Sequence, residues 1–134
     1  MLRLAAGAAA AALMPPAFAA APSQLMRKIP KTGEALPAIG LGSSRTFNVG
    51  SAAEARSAQR EVLKLFAEQG GRVVDSSPMY GEAESVIGDL AAELGVTTRL
   101  FVATKVWTSG RDAGMRQMEE SFRRLRTKQM DLMQ

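Results

Sequence analysis

Asp75, Tyr80 and Lys105 are the side chains in this sequence whose chemistry belongs together. A carboxylate, a phenol and an ammonium form a proton-transfer set. The phenol can give its proton to an acceptor oxygen, the ammonium favours the negative charge left behind, and the carboxylate keeps the ammonium charged and oriented. Asp75 follows Val73 and Val74 in the run 72–76, and Tyr80 lies a few residues on in the same segment. Lys105 lies in FVATKVW, residues 101–107. Period-2 alternation puts Val73 and Asp75 on one side of their strand and Val74 on the other; Ala103, Lys105 and Trp107 likewise share a side. Both faces of a parallel sheet are covered, so a charge in such a strand needs a partner. Asp75 and Lys105 are natural partners for each other. Taken singly, an Asp at a strand end is a turn or cap residue, a Lys there snorkels to water, and Tyr80, the sole tyrosine, packs with its hydroxyl exposed. Their combination at consecutive strand ends is what points to a site.

The elements that must hold these residues follow from pattern. Residues 25–30 and 36–43 read as strands around a Gly-containing turn. Ser51 with Glu54 predicts a capping box at the start of a helix, with Val62, Leu63, Leu65 and Phe66 on its apolar face. Gly70-Gly71 stops that helix, since glycine accepts the left-handed conformation at a helix end. A strand at 72–76 leads to a helix over about 82–94. Its Val86, Ile87, Leu90, Ala91 and Leu94 share one face, and Gly95 ends it. The strand 100–107 is followed by a third helix, capped by Ser109 with Asp112, whose Met115, Met118, Phe122 and Leu125 line one face. Residues 130–134 begin another strand. Strands alternating with helices of this length imply right-handed βαβ units and a parallel sheet.

The first 19 residues read as an export signal rather than fold: Arg3 as the basic region, Leu4 to Met14 as a small apolar core, and Ala17-Phe18-Ala19 as a small-x-small cleavage site before Ala20. The apolar core is too short to span a bilayer, so no stable membrane anchor is expected after cleavage. The reading places the protein outside the cytoplasm, in the periplasm; the alternative is an alanine-rich leader on a cytoplasmic protein. The stretch also resembles the segment just after the arginine pair of twin-arginine signals. An in-frame stop upstream of Met1 with no such pair would exclude that route.

The chain has 134 residues and a formal charge of +4, with no cysteine and no histidine. Disulfides and thiolate chemistry are excluded, and a transition-metal site is not expected. The basic residues near Arg116, Arg123, Arg124, Arg126 and Lys128 have no aromatics among them, which argues against nucleic-acid binding and for a solvated helix face.

VVDSSPMYGEAESVIG (73–88) and FVATKVW (101–107) resemble aldo-keto reductase sequence, and IGLGSS (39–44) resembles the loop after that family's first barrel strand. The resemblance runs from Leu25 to Gln134. It implies a partial (β/α)8 TIM barrel with an N-terminal β-hairpin, about the first half of the barrel, with residues 20–134 as the N-terminal part of the domain. It implies NADPH (NADP)-dependent reduction of a small aldehyde or ketone, without metal. Carried over by position, Asp75, Tyr80 and Lys105 match three members of the family's Asp-Tyr-Lys-His tetrad. The histidine is expected just after a strand like 130–134, so the chain reads as a fragment, inactive alone. Gly42, Ser43, Ser44 and Asp75 fall at cofactor-binding positions, although Ser44 stands where many members carry an aromatic. Trp107 falls at a substrate-pocket aromatic. The alternative implied by the resemblance is a nicotinamide-sensing subunit of a larger assembly. The oligomeric state is left open.

Overall fold

The computed structural model describes residues 24–134; the export-signal reading of 1–19 lies outside the described residues. Strands β1 (Met26–Lys28) and β2 (Ala35–Pro37) form an antiparallel hairpin with Met26 opposite Pro37. The run 36–43, expected as one strand, is divided. Pro37 ends β2, and β3 (Leu41–Gly42) starts a different sheet. Between them Gly40 crosses Val73 so closely that an added Cβ would lie 3.1 Å from the Val73 side chain.

The second sheet is parallel, with four strands in sequence order: β3, β4 (Val73–Asp75), β5 (Phe101–Thr104) and β6 (Leu132–Met133). Each connection carries a helix: α1 (Ala53–Glu68), α2 (Ala83–Glu93) and α3 (Arg111–Arg124). These are the predicted β/α units. The register sets Gly42 beside Asp75 and Asp75 beside Ala103.

The core lies between the helices and one face of the sheet. Val74 and Val102 point into it from β4 and β5, where they meet Leu63, Val86, Ile87, Leu90 and Leu125. Gly70 and Gly95 end α1 and α2 at φ +82° and +66°, the left-handed region that glycine enters without a Cβ penalty. Asp89 on α2 ties the helices together, pairing with Arg56 of α1 at 2.8 Å and with Arg126, just past α3, at 2.6 Å.

Two expected caps are absent. The N-cap of α1 is Ala52 and that of α3 is Gly110, and neither makes a side-chain capping bond. Ser51 and Ser109 each lie one residue too early. The start of α1 is held instead by Arg56, whose Nε donates to the Gly50 carbonyl at 2.6 Å. The expected helix faces are narrower than the pattern. Leu63 of α1 is buried, whereas Val62 and Leu65 flank the buried stripe and are 47% exposed. On α3 Leu125, just past the helix, is buried, Met118 and Phe122 are half-buried and Met115 is exposed. On α2 the expected face is buried except for Leu94, which is half-buried. No helix among the described residues is long and apolar enough to cross a membrane.

Candidate active site

The sheet brings three of the predicted residues together at the carboxyl ends of its strands. Asp75 is the last residue of β4, and Lys105 follows the last residue of β5. Lys105 Nζ donates to both carboxylate oxygens of Asp75, at 2.9 and 3.0 Å, and to the Ser76 carbonyl at 2.9 Å. Such charge-assisted bonds are roughly twice as strong as neutral ones. The same ammonium stands 5.5 Å from the centroid of the Tyr80 ring. It is thus shared between a carboxylate and the face of a phenol, at cation–π range.

Tyr80 is held by a tight turn rather than by a strand. Its N–H donates to the Ser77 carbonyl at 3.0 Å, and its own carbonyl accepts from Ala83 N–H at 3.0 Å. The ring packs against the core under α2. The following helix start is fixed from another loop: Asn48 Oδ1 accepts from Glu82 N–H at 3.0 Å. Sequence reasoning passed over Asn48, because a cap supplied from a loop 34 residues away leaves no local spacing to read.

Two other contributors were not anticipated. The Ser76 backbone carbonyl takes the third hydrogen bond of Lys105. Gln134 Nε2 donates to Asp75 Oδ1 at 3.1 Å, so that oxygen receives both an ammonium and an amide. Gln134 reaches this point because β6 continues the ladder, with its N–H on the Thr104 carbonyl and its carbonyl on Val106 N–H.

The remaining predicted positions lie around this pair. Gly42 ends β3 beside Asp75, and among the described residues, its chain neighbours aside, no atom lies within 4 Å of where its Cβ would stand, which leaves room for a flat group against the backbone. Ser44 is exposed next to it. Ser43, expected at a cofactor-binding position, is buried; its Oγ donates to Ser76 Oγ at 3.0 Å. That bond closes a polar chain from β3 through Ser76 to Lys105. Trp107 is 64% exposed at the rim. Its backbone N–H donates to Gln117 Oε1 of α3, so the backbone is anchored while the indole stands free. A separate half-open cavity of about 660 Å³ lies before the amino ends of the strands, around Arg72, Leu100, Arg126 and Asp131. It contains none of the rim residues.

A hairpin at the amino ends of a parallel sheet of β/α units, with polar side chains gathered at the carboxyl ends of the strands, is the arrangement of a (β/α)8 barrel; the described residues carry the hairpin and four of the strands. The aldo/keto reductase family profile matches residues 38–134, and the chain belongs to that family. It is 35% identical over 101 residues to methylglyoxal reductase YeaE of Escherichia coli (strain K12), a match over 72% of this chain and 34% of the relative. It is 32% identical over 100 residues to methylglyoxal reductase DkgB of Salmonella typhi, again over 72% and 34%. The chain therefore spans about a third of the length of the curated relatives it matches. An aldo/keto reductase from Klebsiella pneumoniae, solved in complex with NADP and acetate, superposes with a TM-score of 0.65 at 31% identity, over 75% of this chain and 35% of that one. A second Klebsiella pneumoniae structure, in complex with NADPH, gives 0.59 at 36% identity over the same shares.

Proposed function

We propose that this chain supplies the amino-terminal part of an NADPH-dependent reductase of small aldehydes and ketones, with methylglyoxal-type carbonyls as the substrate class. The observation that carries the reading is the shared ammonium of Lys105, held by Asp75 and set over the Tyr80 ring. The curated relatives are named for methylglyoxal reduction, and the solved neighbours contain NADP or NADPH.

In this reading Tyr80 is the general acid. A carbonyl is poorly electrophilic until its oxygen gains a strong hydrogen bond or a proton, and Tyr80 gives that proton. Lys105 stabilises the negative charge that builds on the phenol as the proton leaves. Asp75 holds the ammonium in place through both of its oxygens, and Gln134 steadies the carboxylate. Gly42 and Ser44 present the open rim on which the nicotinamide would lie, next to Asp75. The bound cofactor supplies hydride to the carbonyl carbon. Trp107, exposed two residues beyond Lys105, would shield a small substrate from water in this reading.

The deciding experiment is Tyr80→Phe in the intact protein, followed by steady-state reduction of a small aldehyde. Turnover should fall at least about a hundredfold while NADPH binding stays near normal. Turnover like that of the unaltered protein removes Tyr80 from the chemistry.

A further inference from the structure

Glu84 is wholly buried, and the reaction as described gives it no task. It lies in the first turn of α2, four positions after Tyr80. One of its oxygens, Oε1, accepts from Thr104 Oγ1 at 2.7 Å, and Thr104 is also wholly buried. The other, Oε2, is buried and has no hydrogen-bond partner among the described residues. A carboxyl group in such a place is a costly way to fill space; an apolar side chain would fill it with less loss of hydration.

The bond links the helix that follows Tyr80 to the strand that leads to Lys105, a polar tie beside the apolar contacts those elements share in the core. Glu84 belongs to the helix that begins directly after the Tyr80 turn, and that turn is tied to it by the Ala83 N–H to Tyr80 carbonyl bond. Thr104 directly precedes Lys105. Successive strand residues point to opposite faces, so Thr104 meets the helix layer while Lys105 meets Asp75 on the other side. A single buried bond therefore sits behind the phenol and the ammonium at once. Hydrogen bonds have a preferred length and direction, which apolar packing lacks.

We propose that Glu84 and Thr104 form a buried brace that fixes the position of Tyr80 relative to Lys105. Both are positioning residues: neither touches substrate or cofactor. The inference rests on the reading of Tyr80 and Lys105 as the proton-transfer pair. Misplacement of reacting groups by about 1 Å costs on the order of a hundredfold in rate, so a loosened brace registers in turnover.

The test uses the intact protein with four single variants. Thr104→Val and Glu84→Leu remove the bond at nearly constant volume, whereas Thr104→Ser and Glu84→Gln keep a donor facing an acceptor. The first two should lower kcat about tenfold or more per folded molecule, leave the KM for carbonyl and the Kd for NADPH within about twofold, and move the pH profile of kcat. The second two should retain kcat within about threefold. The inference is overturned if Thr104→Val keeps the original kcat and pH profile, or if kcat falls only as the folded fraction falls. If Glu84→Leu does not fold, Thr104→Val still decides. Loss of turnover in Tyr80→Phe with an unaffected Thr104→Val sinks the brace alone. Normal turnover in Tyr80→Phe sinks the reading beneath it.

Discussion

Replacing Lys105 by methionine keeps the reach and most of the apolar stem of the side chain and deletes its charge. The ammonium is 5.5 Å from the centroid of the Tyr80 ring. With that centroid as the seat of the developing charge and an effective dielectric of about 20, Coulomb's law gives about 3 kcal/mol for a full unit of charge. Each 1.36 kcal/mol is about tenfold in rate, so the upper bound is a little over a hundredfold. The transition state develops only part of a unit charge, and the Lys105 side chain is 20% exposed to screening solvent. The expected fall in kcat/KM is therefore about tenfold to a hundredfold. The change also leaves the Asp75 carboxylate without its cation, with Gln134 alone among the described residues still donating to it. A second variant separates the two effects: Asp75→Asn combined with Lys105→Met removes the stranded charge and should not recover turnover. The assay is consumption of NADPH absorbance with a small aldehyde, beside a thermal melt of each variant. Kinetics of Lys105→Met within about threefold of the unaltered protein, or recovery in the double variant, would refute an electrostatic role for this lysine.

Two other predictions concern the frame that carries the site. A Cβ at Gly88 would stand 2.1 Å from the Arg124 carbonyl oxygen and 2.8 Å from Leu125 Cα, both backbone atoms that cannot step aside without moving the end of α3. Gly88→Ala gains about 1 kcal/mol of helix propensity, but a clash with backbone this close puts the overpacking loss at the upper end, about 3 kcal/mol, so Tm should drop; a raised Tm would show that α2 and α3 separate freely. On α3, hydrogen bonds from Arg123 and Arg124 hold the Glu120 carboxyl down to about 2 from an ordinary 4.5. A carboxylate whose folded value is depressed stabilises the fold above its unfolded value and loses that contribution as pH falls through the folded one. The Glu120 contribution is thus complete above about pH 4.5 and gone near pH 2; Glu120→Gln should flatten Tm against pH in that window, and an unchanged slope contradicts it.

What the sequence made legible was whatever repeats along one element. The β4 and β5 strands, the buried face of α2 and the Asp75–Lys105 pairing all follow from periods of two and of three to four residues. What it concealed came from contacts between elements. Asn48 caps α2 from another loop, the Ser76 carbonyl is a backbone group with no side-chain signature, and Gln134 reads as a polar strand end until the ladder brings it beside Asp75. Glu84 was hidden for a different reason. A glutamate in the first turn of a helix ordinarily faces solvent and complements the helix dipole, so nothing local distinguishes one that is buried under a strand. The misplaced caps at Ser51 and Ser109 show the reverse fault, a local motif outvoted by the packing that sets where each helix begins.

The pairing of Asp75 with Lys105 spans 30 positions, the length of a single strand–helix–strand repeat. Every covalent tie between the two charges lies inside that repeat. A cut, splice or circular permutation made anywhere outside residues 75–105 leaves both partners on one unbroken piece of chain, so the pair is inherited as a block however the rest of the gene is rearranged.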